Sequence, residues 1–352
     1  MEKEHLIRKW CQGQKRVARA EQERAYDQEK VEKAVRRAAR KAEKQIAAGK
    51  SGDRAGIVAE VRKARCLVLH EGSYLDCPLE PRILRALPEV PVVGDRVSFD
   101  LDESGRGTIR QILPRSTKLV RMRTQRRDST RQSLQEEHVL AANVDVAVIV
   151  ASVALPPFHP RLVDRYLIMC RYGDVSPVLC INKCDLVEDP PDLSIYQRLG
   201  IPVIYTSADT GQGIGELREQ IQGKYSVLTG HSGVGKSSLI NRLLEEEILQ
   251  VADVSSASGR GRHTTTVSSL HKLDDTTYLI DTPGIRSLSL WEVDRQSLRF
   301  YFPEFEEPSL DCKFRNCLHD SEPDCGVKEA VERGEIPEER YDSYLRVLSA
   351  EC

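Results

Sequence analysis

The chain of 352 residues lacks any run of about 18 apolar residues, so no membrane-spanning helix is expected. Its first residues contain no apolar signal core, which argues against secretion and favours a cytoplasmic location. Aromatic residues make up only 5% of the sequence, but 40% of the residues are hydrophobic and 30% are charged. This composition is typical of a globular protein and excludes collagen-like and wholly disordered chains. Ten cysteines without an export signal indicate reduced thiols or a metal rather than disulfides.

The net charge is only −2, but it is unevenly distributed. Residues 1–50 carry 15 Lys and Arg against 8 Asp and Glu, a net charge of +7. Residues 106–131 carry nine against one, a net charge of +8, whereas residues 301–352 carry 6 against 14, a net charge of −8. Two basic segments in a near-neutral chain can still bind a polyanion locally.

The chain length predicts two or three domains. Residues 1–54 form a basic extension, either a solvated helical or disordered arm or an RNA-contacting arm that orders on binding. Residues 55–115 contain short strand-like runs separated by turn residues, which predicts a small OB-like, RNA-binding β-barrel. An SH3-like barrel or a purely structural domain would show a similar pattern. The runs lie at 56–61, 66–70, 92–99 and 107–112.

Residues 115–137 form a polar, basic joint. The joint is interpreted either as a solvated surface loop or as a contact with a polyanion. Its cations are Arg115, Lys118, Arg121, Arg123, Arg126, Arg127 and Arg131.

From Asn143 onward, within a predicted domain at 116–300, strand-like and helix-like segments alternate, which predicts a parallel sheet with helices on both faces. Phosphate sites in such sheets lie beyond the carboxyl ends of the strands. The predicted strands are 144–150, 178–182, 202–206, 225–229 and 277–281, and the predicted helices are 162–171, 213–221 and 236–244.

The segment GHSGVGKS at 230–237 matches the Walker A pattern, and it follows a predicted strand and opens a predicted helix. Its glycines let the backbone N–H groups point at phosphate oxygens at a helix N-terminus. Lys236 is expected to neutralise the β- and γ-phosphates in catalysis, and Ser237 to bind Mg²⁺. His231 is expected to have no chemical role. The expected nucleotide contacts are Gly230, Ser232, Gly233, Val234, Gly235, Lys236, Ser237 and Ser238.

The segment DTPG at 281–284 ends another apolar strand. Asp281 is expected to hold Mg²⁺, usually through water, and Gly284 to bond the γ-phosphate. Such a turn is common by itself, but its position downstream of a Walker A loop favours this interpretation.

The segment NKCD at 182–185 resembles the guanine-specificity motif of GTPases. Asp185 can accept two N–H bonds from guanine, Asn182 can bond the base edge, and the stem of Lys183 can cover the base. In the following TSA segment, a backbone N–H of Ser207 or Ala208 is expected at guanine O6. Together these residues favour GTP over ATP.

The order of these motifs is unusual, because NKCD and TSA precede the phosphate loop and DTPG comes last. This order predicts a circularly permuted GTPase domain, which a compact fold tolerates when its termini lie close together. It also connects the region after DTPG directly to the C-terminal domain, so that switch movement can be passed to that domain.

A candidate switch loop, GRHTTT at 261–266 with a glycine-rich lead-in, lies between the phosphate loop and DTPG. Thr265, or alternatively Thr264, is expected to complete the Mg²⁺ coordination. Ile285 follows DTPG and cannot orient a water molecule, so His263 is the candidate catalytic group. Alternatively, His263 is structural and a partner supplies this function.

Near the C-terminus, three cysteines and one histidine lie within 14 residues. Their spacing predicts a tetrahedral zinc site that is closed and therefore structural, within a helical module over 301–352. The alternative is a set of scattered free cysteines. The predicted ligands are Cys312, Cys317, His319 and Cys325.

The permuted motif order and the Cys/His spacing resemble the RsgA (YjeQ) family of circularly permuted GTPases, over about residues 55–345. This resemblance implies late maturation of the small ribosomal subunit, contact with its rRNA, GTP hydrolysis stimulated by the subunit and release of another assembly factor. It also implies that His263 and Thr265 serve hydrolysis and Mg²⁺ binding. The expected ligands are GTP or GDP, Mg²⁺ and one Zn²⁺ in a monomer that binds no membrane.

Two alternative functions remain open. One is a permuted GTPase that acts on another ribosomal or RNA target, and the other is a non-catalytic RNA-binding module. The intact Lys236, Ser237, Asp281 and Asp185 argue against the second alternative.

Overall fold

The computed structural model describes residues 54–62, 65–79, 90–126, 133–244, 268–281 and 295–349. The chain divides into two compact units, one of residues 52–294 with 346–352 and the other of residues 295–345 with 1–51. Apart from Arg54, the predicted N-terminal extension lies outside the described residues. Within the described ranges, no helix combines the length and the apolar character needed to cross a membrane.

The first unit is built mainly from strands, which lie in one eleven-stranded sheet and one separate hairpin. The strands are β1 (Arg54–Arg62), β2 (Arg65–His70), β3 (Ser73–Pro78), β4 (Arg96–Leu101), β5 (Gly107–Ile112), β6 (Lys118–Arg126), β7 (Ser133–Ala142), β8 (Val146–Ser152), β9 (Ser176–Asn182), β10 (Val203–Tyr205), β11 (Tyr225–Thr229), β12 (Ser269–Lys272) and β13 (Tyr278–Asp281). The helices of this unit are α1 (Pro160–Tyr172), α2 (Ser194–Arg198), α3 (Ile214–Ile221) and α4 (Lys236–Leu244).

Strands β1 to β5 form the predicted barrel, in the antiparallel order β5-β4-β1-β2-β3. Their buried side chains, among them Val68, Val97 and Phe99, form a separate apolar core. A Cβ on Gly107 of β5 would lie 2.1 Å from Cys77 Sγ of β3, so the two ends of this sheet curve into close contact. The sequence did not indicate β3.

The strand predicted at 92–99 begins only at Arg96, because the preceding residues form a turn. Asp95 fixes this turn: its backbone N–H donates to Val92 O (3.1 Å), and its Oδ2 accepts from the Val92 N–H (2.8 Å). Gly94 lies at φ +87°, where a Cβ would be 2.0 Å from Ala142 O. The apolar pattern of this segment reflects its burial rather than an extended conformation.

Parallel strands in the order β10-β9-β8-β11-β13 form the predicted α/β sheet. Side chains of a strand alternate between the two faces. On β8, Ala147 and Ile149 accordingly pack with α1 and α2. Val148 and Val150 pack with α3 and α4 on the other face. Because these strands are parallel, all the motifs that follow them lie at the same edge of the sheet.

Strand β12, which the sequence did not indicate, joins this sheet to the barrel. It pairs antiparallel with both β13 and β1, and Ser269 is the register partner of Asp281 on one side and of Glu60 on the other. The barrel and the α/β sheet are therefore hydrogen-bonded parts of one continuous sheet. The predicted domain boundaries at residues 115 and 300 stay predictions.

The basic joint is not the irregular loop that its charge suggested, because most of it forms the hairpin β6–β7. Frequent cations obscured the strand pattern in the sequence. The first cation of the joint, Arg115, is half-buried, and its Nε and Nη2 donate to the fully buried Asp95 at 2.7 and 2.9 Å. Arg115 therefore serves the structure of the barrel. Lys118 forms an ion pair with Glu137 across the hairpin.

The second unit contains α5 (Arg295–Leu298), α6 (Gly326–Glu332) and the start of α7 (Glu338–Ser349), with short 3₁₀ turns between α5 and α6. Its core is aromatic: Phe302, Phe305 and Tyr344 are buried and contact one another, with ring centroids 4.8–5.3 Å apart. Arg340 forms a buried ion pair with Glu304 at 2.6 Å. An aromatic core lets this small unit bury apolar area with few residues.

Candidate nucleotide site and metal centre

The phosphate loop lies at the carboxyl edge of the sheet, between β11 and α4. Gly230, Gly233 and Gly235 have φ values of +144°, +84° and +94°, a region that favours glycine. A Cβ on Gly235 would lie 2.2 Å from Asn182 Nδ2, so this position also needs glycine for space. The glycine spacing of the motif is therefore explained by backbone conformation and by a neighbouring side chain.

Lys236, the first residue of α4, extends back over the loop. Its Nζ donates to Gly230 O at 2.8 Å and to His231 O at 2.5 Å. The ammonium group therefore lies among the carbonyls of the loop, in the position expected for a group that neutralises phosphates. Ser237 and Ser238 lie half-buried in the first turn of α4, and Ser232 is exposed on the loop.

Asn182 connects three of the predicted nucleotide motifs: the phosphate loop, NKCD and TSA. Its Nδ2 donates to Val234 O of the phosphate loop at 2.9 Å, although the two residues are 52 positions apart. Its Oδ1 accepts from the Ala208 N–H at 3.1 Å and from Thr206 Oγ1 at 3.3 Å. The amide is buried, so these bonds are shielded from competing water. One side chain therefore fixes the phosphate loop relative to the base-contacting segments.

Lys183 and Asp185, the other polar residues of this motif, differ in their surroundings. Lys183 Nζ donates to Gly233 O at 2.6 Å and to Leu155 O, and desolvation by burial lowers the pKa of its ammonium group. The Asp185 carboxylate is exposed and forms no hydrogen bond or ion pair within the described ranges. It can therefore accept both N–H bonds of a guanine edge.

The TSA segment is held by an arginine that the sequence did not indicate. Arg242 of α4 donates from Nε to Ala208 O at 2.7 Å and from Nη2 to Asp209 O at 2.6 Å. Ser207 is buried, and its Oγ accepts from the Thr210 N–H at 3.1 Å. Arg242 follows the Walker A motif by less than two helical turns, but only the tertiary structure shows what it contacts.

Asp281 is buried at the carboxyl end of β13, at the same edge of the sheet as the phosphate loop. A buried carboxylate at this edge suits a divalent cation. The other predicted switch residues, His263, Thr265 and Gly284, lie outside the described residues.

The four predicted zinc ligands come together in the second unit. Their ligand atoms all lie within 4.8 Å of one another. Cys312 Sγ is 3.8 Å from Cys325 Sγ and 3.5 Å from His319 Nδ1, which in turn is 3.4 Å from Cys325 Sγ. Around a tetrahedral Zn²⁺ with Zn–S bonds of about 2.3 Å and Zn–N bonds of about 2.0–2.1 Å, two sulfurs are about 3.8 Å apart, and a sulfur and a nitrogen are about 3.5 Å apart. These values are very similar to the observed distances. Cys312, His319 and Cys325 therefore have the spacing of three corners of a tetrahedral Zn²⁺ site, and Cys317 Sγ lies within 4.8 Å of all three ligand atoms.

Neighbouring groups hold the loops of this cluster in position. Tyr341 and Tyr344 each donate from their hydroxyl at 2.6 Å, to His319 O and Leu318 O respectively. Burial raises the pKa of the Cys317 thiol to about 12, so a stable thiolate here requires a cation. The remaining described cysteines, Cys66, Cys77, Cys170, Cys180 and Cys184, are buried packing residues, as predicted.

The fold and the nucleotide site together define a phosphate-loop GTPase whose motifs stand in circularly permuted order. The profile of the RsgA GTPase family matches residues 112–291. The small ribosomal subunit biogenesis GTPase RsgA of Chlorobaculum tepidum is 43% identical over 265 residues, which cover 73% of this chain and 84% of the relative. The protein of the same name from Chlorobaculum parvum is 40% identical over 305 residues, which cover 84% of this chain and 97% of the relative.

Two solved structures are also similar to this chain. The crystal structure of YjeQ from Thermotoga maritima matches with a TM-score of 0.65 and 35% identity, over 84% of this chain and 97% of that one. YloQ, described as a circularly permuted GTPase, matches with a TM-score of 0.62 and 29% identity, over 84% of this chain and 94% of that one. This chain belongs to the RsgA GTPase family, and it is a GTP hydrolase. The resemblance drawn from its motifs is confirmed.

Proposed function

We propose that this GTPase acts in late maturation of the small ribosomal subunit, binding the subunit and its rRNA while GTP is bound. The observation that carries this proposal is the Asn182 junction, which unites the phosphate loop with the guanine-type motifs in a chain similar to small-subunit biogenesis GTPases. Release of an assembly factor follows from hydrolysis. We further propose that the protein works as a monomer in the cytoplasm, where its target is found.

The residue roles follow from this proposal. Lys236 neutralises phosphate charge, Asp185 selects guanine, and Ser237, Thr265 and Asp281 hold the Mg²⁺ that accompanies GTP. That cation would offset the charge that develops on the phosphates during hydrolysis. His263 orients the attacking water, which Ile285 cannot do. The other nucleotide-binding positions are Lys183, Ser207, Gly230, Ser232, Gly233, Ser238 and Gly284.

We also propose that Cys312, Cys317, His319 and Cys325 hold one structural Zn²⁺. The closeness of their ligand atoms, which all lie within 4.8 Å of one another, supports this assignment, and four protein ligands leave no open position for catalysis. The domain division that fits these roles is an N-terminal extension to residue 54, an RNA-binding barrel at 55–115, the GTPase domain at 116–300 and the zinc module at 301–352.

The test is GTP hydrolysis by the purified protein alone, with small subunits and with large subunits. We expect slow hydrolysis by the free protein and an acceleration of about 10-fold or more that requires small subunits, as when a partner completes a GTPase site. Equal rates with and without small subunits would refute the ribosomal part of the proposal. Stronger stimulation by large subunits would favour the alternative of another ribosomal target.

Two variants separate catalysis from binding. The Lys236→Ala protein should lose hydrolysis under every condition, which excludes a contaminating GTPase. The His263→Ala protein should still bind GTP but should not respond to subunits. If a wild-type preparation free of contaminants were silent with either subunit, the non-catalytic RNA-binding alternative would be favoured.

A further inference from the structure

A groove of about 920 Å³ lies at the amino edge of the α/β sheet, where the sheet meets the barrel. Tyr225 and Tyr278, the first residues of β11 and β13, are register partners in this groove. The nucleotide motifs follow the carboxyl ends of these same parallel strands. The groove is therefore at the opposite end of the sheet from the GTP site and has no part in hydrolysis.

The groove contains an aromatic platform. The rings of Tyr225 and Tyr278 are stacked with centroids 4.9 Å apart and an interplanar angle of 6°. Both side chains are only partly buried, and within the described ranges neither hydroxyl forms a hydrogen bond. A planar group that entered the groove could extend this stack and find two polar hydroxyls beside it. Such a surface suits a nucleobase.

The groove also contains two exposed cations, Arg54 at the start of β1 and Arg96 at the start of β4. Neither guanidinium forms an ion pair or a side-chain hydrogen bond with any residue that the structure describes. The acidic groups nearby are Glu71 on the rim and Asp145, which accepts from the Tyr225 N–H at 2.8 Å. Because neither arginine pairs with a described carboxylate, the groove is able to bind an anion.

His70 forms part of the wall and is held in place by the barrel. Its Nδ1 donates to Ala55 O at 2.7 Å, and its ring meets Phe99 edge-on with centroids 5.2 Å apart. The barrel side of the groove is thus fixed in shape before a ligand binds. A fixed wall lowers the entropy cost of binding.

We propose that this groove binds a short single-stranded segment of RNA, with a base on the Tyr225–Tyr278 stack and phosphates on Arg54 and Arg96. Stacked aromatics beside exposed cations match the two parts of a nucleotide, and single strands expose both of these parts. The basic segment 1–50, with its net charge of +7, is disfavoured as an occupant because its charge has the same sign. The proposal rests on the proposed function only in taking rRNA of the small subunit as the natural source.

The experiment measures binding of a fluorescently labelled, unstructured RNA strand by anisotropy, with the full chain bound to GDP and over a series of salt concentrations. In the Arg54→Gln/Arg96→Gln protein, the affinity should fall about 10-fold and the slope of log K against log salt should decrease by about 1.4, because two phosphate contacts are lost. Arg106→Gln is the matched control, because this exposed residue lies in the turn at the far end of β4. Its effect should stay within about 2-fold.

The stacking part of the proposal needs its own measurements. Tyr278→Leu keeps an apolar side chain but removes the ring, and it should weaken single-strand binding by about 5-fold or more. The same strand annealed to its complement should bind more weakly than the free strand. Irradiation of a strand that contains 4-thiouridine should cross-link it to peptides that contain Tyr225 or Tyr278.

An unchanged affinity and salt slope in the double arginine variant would overturn the proposal, as would equal binding of the duplex. If the groove variants did not affect RNA binding but small subunits still stimulated GTP hydrolysis, the groove proposal would fail and the proposed function would stand. Conversely, groove-dependent RNA binding without stimulation by subunits would support the groove and refute the ribosomal role. Basal GTP hydrolysis should be unchanged in every groove variant, since none of these residues lies at the nucleotide edge.

Discussion

Asn182 fills the space that any side chain on residue 235 would need, because a Cβ on Gly235 would lie 2.2 Å from Asn182 Nδ2. The two residues follow β9 and β11, which are separated by β8, so the contact spans the end of a third strand. The glycine therefore brings the phosphate loop close enough for the Val234 carbonyl to accept from this amide. This contact therefore fixes the phosphate-binding loop and the base-binding segments relative to each other.

Gly235→Ala should displace the Asn182 side chain and weaken guanine nucleotide binding by about 100-fold or more, because the buried amide loses its partners. Gly223→Ala is the matched control: Gly223 also has a positive φ (+69°), but nothing lies within 4 Å of its Cβ position. The control should cost about 1 kcal/mol of stability and leave binding unchanged. Titration with a fluorescent GDP analogue and urea unfolding measure both effects. Equal nucleotide affinities of the two variants would show that the Asn182 contact is unimportant.

Asp185→Asn should reduce the preference for GTP over ATP by about 100-fold or more, because an amide cannot accept both N–H bonds of guanine. The variant should gain affinity for xanthosine nucleotides, whose additional carbonyl can accept from the new amide. Asp189→Asn, an exposed change on the same loop, is the control and should keep the wild-type selectivity. Competition binding with the three nucleotides measures the ratios. A variant that still discriminated against ATP as the wild type does would contradict the role of Asp185.

Asp95→Ala should destabilise the first unit by about 3–5 kcal/mol, because it leaves the Arg115 guanidinium, whose side chain is only 11% exposed, without its carboxylate. The same change at Asp100 removes an exposed ion pair with Arg110 on the same barrel, and it should cost about 1 kcal/mol or less. Denaturant unfolding of both variants gives the two free energies. Similar values would mean that the buried pair contributes no more than the exposed one.

Because the Cys170 thiol is buried, the free energy of unfolding should depend on pH in the alkaline range. Burial raises its pKa from 9.0 to about 12, so the unfolded chain loses this proton at lower pH than the folded chain does. The stability that the neutral thiol contributes is fully present below pH 9.0 and is lost as the pH rises towards about 12.

The free energy of unfolding should therefore fall over this range, by about 1.4 kcal/mol per pH unit for each such thiol. Cys170→Ala should lower the free energy of unfolding at neutral pH. It should also make this free energy fall less steeply with pH in the alkaline range, by the amount that corresponds to one proton. An unchanged slope would show that this thiol already titrates in the folded state.

The purified protein should contain one zinc per chain by elemental analysis. Cys325→Ala should lose the metal and become sensitive to proteolysis within residues 295–345, because metal binding there contributes to folding. Cys180→Ala removes an equally buried cysteine outside the cluster, and it should retain the full zinc content. Full occupancy in the Cys325→Ala protein would contradict the assignment of the ligands.

The sequence predicted the α/β sheet and its strands well, because buried parallel strands are continuous apolar runs that end in recognisable motifs. It predicted the barrel only in part. Strand β3 was missed, and the strand pattern of β6 was obscured by its frequent cations. The short strand β12 has only four residues, and its pairing with both β1 and β13 is not visible in any local pattern.

The sequence by itself determined the chemistry, because phosphate, guanine and zinc binding each require particular residue types at short spacings. It identified Lys236, Asp185 and the Cys/His cluster as candidate phosphate-binding, guanine-binding and zinc-binding groups without reference to the fold. Only the tertiary structure decided that Asn182 unites the motifs, that Arg115 pairs with the buried Asp95 and that two tyrosines stack beside two exposed arginines. Those contacts join residues far apart in the chain, and strand order, rather than local sequence, brings them together.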